Sequence, residues 1–209
     1  MSIAMVDYGM GNRRSVLKAF EHVGGELAAT ADHDVLRAAD GLVVPGVGAF
    51  PEAMRRLRAL GLDEIVRERA AAGVPVIGLC LGMQLLFERS GEHEGCEGIG
   101  LLGGGVVALD TRGLKSPHIG WNSVSWQRPS ALIEGLPDRA AFYHVHSFVV
   151  EPDDRAIVLG MGEYGTPFVS FVQQGNVYGA QCHPEKSSIE GLALLRNFVA
   201  ICATVSVAS

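Results

Sequence analysis

Val76-Ile77-Gly78-Leu79-Cys80-Leu81-Gly82-Met83-Gln84 decides how this chain is read. An apolar run of strand length delivers one cysteine into a tight turn between two glycines. A helical pattern follows at once, over Leu81–Arg89. Strand, tight turn and helix make a nucleophile elbow, here with sulfur in place of a hydroxyl. The turn holds the sulfur away from the sheet, beside backbone N–H groups that favour a thiolate and bind an oxyanion. Alone, Gly-x-Cys-x-Gly is a short pattern. A second one, Gln181-Cys182-His183-Pro184-Glu185-Lys186-Ser187, lies far downstream.

Outward from the elbow, Ser2–Val6, Gly41–Pro45 and Val74–Leu79 read as strands, the last two covered on both faces. Between them, Asn12–Val23 has Val16, Leu17, Phe20 and Val23 on one helical face and stops at Gly24-Gly25. Pro51–Leu60 and Asp63–Ala72 read as helices separated by Gly61. This alternation implies a parallel sheet with ligands at the carboxyl ends of its strands. From Gly103 onward strands follow without long helices: Val106–Leu109, Asn122–Trp126, Ala141–Val150 and Ile157–Met161. Phe168–Gln173 and Val177–Gln181 read as a hairpin through Gln174-Gly175-Asn176. A closing helix, Ser188–Thr204, turns Leu192, Leu195, Phe198 and Val199 inward after a capping-like Ser187–Glu190 entry. The expected fold is α/β, in one domain over residues 1–209. A mixed, largely parallel central sheet is flanked by helices and has an antiparallel-rich second half.

With 209 residues, 48% of them hydrophobic, the chain can bury a full core. A net charge of −6 from dispersed acidic residues argues against nucleic acid or an anionic membrane as partner. The acidic cluster Glu88–Glu97 reads as a solvated loop. The first residues form a strand-length run rather than a secretory signal, and no apolar segment reaches membrane-spanning length. A cytoplasmic protein with reduced thiols is expected. Cysteines 80, 96, 182 and 202 form no Cys-x-x-Cys pair, so no metal site is expected. Cys96, in a Gly/Glu loop, and Cys202, on the closing helix, read as small apolar filler.

A thiol nucleophile needs a base, and the base an orienter. His183 and Glu185, at i and i+2, share a face if the backbone is extended. A carboxylate both orients the ring and stabilises an imidazolium. On its own His-Pro-Glu reads as a surface turn; beside an elbow cysteine it reads as base and orienter. Cys182 would point away from its neighbour His183. Acyl transfer also needs oxyanion donors. Leu81 N–H is one, and Val47 or Gly48 supplies another from the turn Pro45-Gly46-Val47-Gly48-Ala49-Phe50. A dinucleotide phosphate loop would need glycine where Pro51 stands. His144 and His146 share a strand face as a metal pair would, yet no third ligand is nearby.

Gly78–Gln84, Pro45–Gly48 and His183–Ser187 resemble the three signatures of class I (triad) glutamine amidotransferases. Asp7-Tyr8-Gly9-Met10-Gly11-Asn12, Pro117-His118-Ile119-Gly120-Trp121-Asn122 and Tyr143-His144-Val145-His146-Ser147 narrow the resemblance to one branch. That branch is the glutaminase subunits of imidazole glycerol phosphate synthases, in histidine biosynthesis. The similarity covers essentially the whole chain. It implies hydrolysis of L-glutamine to glutamate and ammonia through a γ-glutamyl thioester on Cys80, with no cofactor. His183 would carry the proton and Glu185 hold its ring. Gly46, Gln84, Glu92, His146, Ser147 and Phe148 match positions that hold glutamine in relatives.

The same resemblance implies a heterodimer with a (βα)8-barrel cyclase subunit. That partner would use the ammonia to make imidazole glycerol phosphate and aminoimidazole carboxamide ribotide. Asn12, Trp121, Tyr143 and Lys186 match positions at or near that interface; Trp121 reads either as an anchor or as a half-buried indole. The Gly46–Gly48 turn is expected to be completed only by partner and ligand. Arg13 replaces a common Leu, Phe148 a Tyr and Cys182 a Phe, none of them a triad member. Two other readings stay open. One is a class I glutaminase serving anthranilate, aminodeoxychorismate or pyridoxal phosphate synthesis. The other is a non-enzymatic, partner-binding regulator on the same fold.

Overall fold

Ile3–Val6, Gly41–Val44, Val76–Leu79 and Val177–Ala180 are buried at every position, as continuous apolar strands under two layers of helices must be. The computed structural model describes residues 1–206. In chain order its elements begin with β1 (Ile3–Val6), α1 (Arg13–His22), β2 (Leu27–Thr30), α2 (His33–Ala38), β3 (Gly41–Val44), α3 (Phe50–Ala59), α4 (Leu62–Ala71), β4 (Val76–Leu79) and α5 (Leu81–Leu85). There follow β5 (Phe87–Ser90), β6 (Cys96–Glu97), β7 (Leu102–Ala108), β8 (His118–Trp126), β9 (Arg139–His146), β10 (Phe148–Pro152), β11 (Val158–Tyr164), β12 (Thr166–Gln174), β13 (Val177–Ala180) and α6 (Ser188–Ser206).

A nine-stranded sheet runs β2-β1-β3-β4-β13-β12-β11-β8-β9. Its β2-to-β13 half is parallel and the remainder antiparallel, the mixed α/β architecture read from the sequence. Strand β13 is the seam, parallel to β4 and antiparallel to β12. Leu79 pairs with Ala180, so the chain leaves both strands side by side at their carboxyl ends, toward Cys80 and toward His183. That single register positions the site. A smaller sheet, β10-β7-β5-β6, packs beside it.

Two apolar layers clamp the large sheet. Phe50, Met54 and Leu57 of α3 with Leu62 and Val66 of α4 cover one face. Val16 and Phe20 of α1 with Leu195 and Phe198 of α6 cover the other, and Phe20 meets Phe198 edge-on at 6.4 Å. Gly61, at φ 65°, makes the left-handed link between α3 and α4 that a side chain would strain. Asp32 caps α2 by accepting from the N–H groups of Asp34 and Val35. No helix among the described residues is long and apolar enough to cross a membrane.

The structure departs from the sequence reading in several places. The helix after the elbow ends at Leu85, not Arg89, because the backbone from Phe87 to Ser90 is taken up in ladders with β6 and β7. Ala141–Val150 is not one strand: the chain crosses at Ser147 from the large sheet (β9) to the small one (β10). β2 and α2 had no sequence signal strong enough to be read. Cys96 lies on β6, partly buried and packed against the core at its margin, as the filler reading expects. Cys202 is buried, its sulfur filling the space above Gly41. Ser187 does not cap α6; its hydroxyl donates to the His183 carbonyl and accepts from Tyr143 N–H.

Candidate active site

Cys80 sits at φ 53°, ψ −115°, a conformation that costs a non-glycine residue about 1–3 kcal/mol. The surrounding backbone enforces it. Cys80 N–H donates to Ala180 O at 2.7 Å, and Met83 N–H donates to Cys80 O at 3.0 Å. The two flanking glycines serve close approach. A Cβ on Gly82 would lie 1.8 Å from the Val44 carbonyl oxygen, and one on Gly78 would lie 2.5 Å from Gly82 O. α5 is only five residues long, so it brings no long helix dipole to Cys80.

His183 Nδ1 and Glu185 Oε1 are 2.9 Å apart, with side chains 8% and 1% exposed. They do not share a strand face as the sequence reading had it. β13 ends at Ala180, and the pair meets across a 3₁₀ turn, Pro184–Lys186, that begins after His183. The turn is pinned by His183 N–H donating to Tyr143 O at 2.8 Å and by Ser187 Oγ donating to His183 O at 2.6 Å. Burial pushes the imidazolium pKa down, but the attraction of the Cys80 sulfur and the Glu185 carboxylate outweighs it and raises the value to about 10. Cys182 is fully buried in the core. Burial and the nearby Glu185 and Cys80 charges push its thiol well up, so it stays protonated.

Glu185→Gln keeps a hydrogen-bonding group on Nδ1 and removes the charge. The His183 pKa then falls, so the alkaline edge of the pH–rate profile is expected to move to lower pH, with kcat down about 10²-fold. Stopped assays of glutamate release across pH check this.

Val47, Gly48, Cys80, Leu81, Gln84, Glu92, His146, Ser147, Phe148 and His183 line one cavity of about 260 Å³, together with Pro117 and Val145. Gly48 adopts φ 96°, which lets its turn face the cavity. Gly46 does not line it. It packs beneath the elbow, where a Cβ would meet Tyr8 Oη at 2.8 Å and Leu81 Cβ at 2.9 Å. Glu92 is no solvated loop residue: its side chain is 13% exposed, and Oε2 accepts the Phe50 N–H at 2.8 Å where α3 begins. Gln84 Nε2 donates to Phe148 O at 3.2 Å and to Gln181 Oε1 at 2.9 Å.

Sequence reasoning passed over two neighbours of the site. Gln181, fully buried, points Nε2 at Cys80 Sγ, 3.8 Å away. Its signal was its place at the end of β13, level with the elbow. His118 is the cross-strand partner of His146, with Nδ1 3.0 Å from His146 Nε2. His146 Nδ1 faces Phe148 O at 3.0 Å and so carries that hydrogen, which leaves Nε2 to accept from His118. His144 stacks on His118 and meets Ser170 Oγ at 2.8 Å through Nε2. Burial lowers the pKa of His146 to about 4 and of His144 to about 3, so both rings are neutral at physiological pH. Among the described residues no group of three His, Cys, Asp or Glu is arranged to hold a metal ion.

Trp121 and Tyr143 are register partners on β8 and β9, their rings 6.1 Å apart. Trp121 and Ile119 are each 54% exposed, and Lys186 is exposed nearby on the turn after His183. Asn12, half-buried, precedes α1. Arg13 is ion-paired with Asp7.

The family model for glutamine amidotransferase class-I matches residues 4–202. An imidazole glycerol phosphate synthase subunit HisH from Moorella thermoacetica is 47% identical, over 94% of this chain and 93% of that protein. The protein of the same name from Aquifex aeolicus is also 47% identical, over 95% and 96%. Among solved structures, a putative GMP synthase protein from Thermoplasma acidophilum superposes with a TM-score of 0.76 at 22% identity, covering 100% of this chain and 96% of that one. PurLQS from Thermotoga maritima gives 0.75 at 18% identity, over 96% and 98%. The last two speak for the fold. With Cys80, His183 and Glu185 gathered at the ends of β4 and β13, and full-length relatives at nearly half identity, the chain belongs to the class-I glutamine amidotransferases and, within them, to the HisH subunits of imidazole glycerol phosphate synthase.

Proposed function

We propose that the chain is a glutaminase subunit that releases ammonia from L-glutamine for histidine biosynthesis. The observation that carries this is the placement of Cys80, His183 and the Gly48 turn on one cavity, with Glu185 buried behind His183 and bonded to its Nδ1. The Cys80 thiolate attacks the side-chain amide carbon of glutamine. The carbonyl oxygen takes the negative charge and is met by the N–H groups of Leu81 and of Val47 or Gly48. His183, protonated, gives its proton to the amide nitrogen, the C–N bond breaks and ammonia leaves. A water then attacks the thioester with neutral His183 taking its proton, the C–S bond breaks, and glutamate departs as the thiolate–imidazolium pair is restored. Glu185 stabilises that imidazolium throughout.

Glu92 offers a carboxylate to the substrate α-ammonium, and its hold on the Phe50 N–H fixes it there. Gln84, His146, Ser147 and Phe148 form the rest of the glutamine pocket. Gly46 shapes the pocket from below rather than touching its contents.

The ammonia goes to a (βα)8-barrel cyclase subunit bound over Trp121, Tyr143, Lys186 and Asn12. This surface suits the role: it adjoins the His183 turn through the Tyr143 backbone, and it exposes an indole and an isoleucine side by side. Trp121→Ala is expected to weaken the complex about 30-fold, the effect of losing a 2 kcal/mol anchor, and to leave the melting temperature unchanged. Titration calorimetry with the cyclase subunit measures it. The function itself is tested by glutamate release with and without that partner and its nucleotide ligand. Turnover that needs Cys80 supports the proposal, and ammonia delivery to this cyclase separates it from the other class I glutaminases.

A further inference from the structure

Resting on the glutaminase reading of Cys80, we propose that Gln181 is a neutral N–H donor that holds the nucleophile as a thiolate. Its side chain is wholly buried, and Nε2 lies 3.8 Å from Cys80 Sγ. Which end of the amide faces the sulfur follows from its partner. Gln84 presents one atom both to Phe148 O and to Gln181 Oε1. A carbonyl can only accept, so that atom of Gln84 is the NH₂ group. The Gln181 atom facing it is therefore the amide oxygen, which leaves the NH₂ group aimed at Cys80.

Besides His183, a further polar contact of the sulfur has the opposite preference. Val145 O lies 3.7 Å from Sγ, and a carbonyl there accepts from a thiol but repels a thiolate. Between the two, Gln181 selects the charged form, because a hydrogen bond to an ionised acceptor is shorter and stronger than one to a neutral acceptor. The backbone N–H of Gln181 donates to Ser170 O at 2.8 Å, so the residue is anchored within the sheet. Other titratable groups around the sulfur are His183 with Glu185, His146 across the cavity, Tyr8 at the end of β1, Glu92 on the rim and Cys182 behind. The side-chain hydrogen bonds of Gln181 go to Gln84 and Cys80 and to none of these groups.

Gln181→Met fills nearly the same space and removes the donor. The test is the pH dependence of Cys80 alkylation by iodoacetamide, followed by mass spectrometry of the Cys80 peptide so that Cys96 does not contribute. The midpoint is expected to rise by about one pH unit, with kcat falling about tenfold and KM for glutamine little changed. Gln84→Leu leaves Gln181 in place but frees its amide to turn, and a smaller rise in the same midpoint is expected. An unchanged midpoint in folded Gln181→Met overturns the proposal. If that variant does not fold, an unchanged midpoint in Gln84→Leu overturns it equally. Alkylation requires no glutamine. A shifted midpoint in a chain that never turns over glutamine would therefore uphold the Gln181 assignment and reject the glutaminase reading.

Discussion

Replacing Cys80 with alanine is expected to lower glutamine-dependent product formation by about 10⁴-fold or more, the scale at which losing a covalent nucleophile registers. Synthesis from added ammonium salts, by the complex with the cyclase subunit, should persist at the wild-type rate. The contrast follows from the proposed division of labour: the thiol is needed only to make ammonia, and the ring-closing chemistry lies on the other subunit. Structure should be kept. Alanine retains the Cβ, so the strain at φ 53° is unchanged, and the hydrogen bonds that enforce the elbow are all made by backbone. Paired assays with glutamine and with ammonium chloride measure the split. Loss of both activities in an intact complex would place cyclase chemistry, or its control, on this chain.

Gly82→Ala should cost at least about 3 kcal/mol of stability, the upper end for overpacking. The added methyl would meet the Val44 carbonyl oxygen at 1.8 Å and Pro45 C at 3.2 Å. Both are backbone atoms, so no rotamer relieves the clash. Either β3 or the elbow has to move, and each carries a wall of the cavity. Gly103→Ala is the matched comparison: its nearest neighbour is Asp153 Oδ2 at 3.7 Å, an ordinary contact, and its melting temperature should stay near wild type. Denaturant midpoints of the two variants provide the measurement. Equal midpoints would mean that the elbow does not depend on this backbone approach.

The features legible in the sequence were those that obey one local rule. β1, β3 and β4 are short, wholly apolar and bounded by breakers, and the helices between them repeat their apolar residues at helical spacing. The hairpin from β12 to β13 announced itself by Gly175-Asn176, which link Gln174 to Val177. Misreadings arose where long-range pairing overrode a local pattern. Leu85–Arg89 has the mixed apolar and charged texture of a helix, yet Phe87–Ser90 finds partners in two strands that lie further along the chain. β2 is an Ala-rich edge strand, and nothing in Leu27–Thr30 distinguishes it from a loop until β1 pairs with it.

The site divides along the same line. Cys80, His183 and Glu185 were readable because their chemistry is specific, although the geometry joining His183 to Glu185 is a 3₁₀ turn and not a strand. Glu92 was hidden in a run of acidic residues, and only the approach of the α3 N-terminus draws it out of solvent. His118 and Gln181 lay within quoted motifs without a role. Their parts depend on cross-strand register and on amide orientation, which no single-strand pattern encodes.

The central claim, that this is an ammonia source geared to a partner, is tested most directly by the rate of glutamate release. It is measured on the free chain, on its complex with the cyclase subunit, and on the complex with cyclase ligand. Slow turnover alone is predicted, with faster turnover in the liganded complex and equal amounts of glutamate and imidazole product. Equal rates in the free chain and the liganded complex, or a folded chain that releases no glutamate under any of the three conditions, would contradict it.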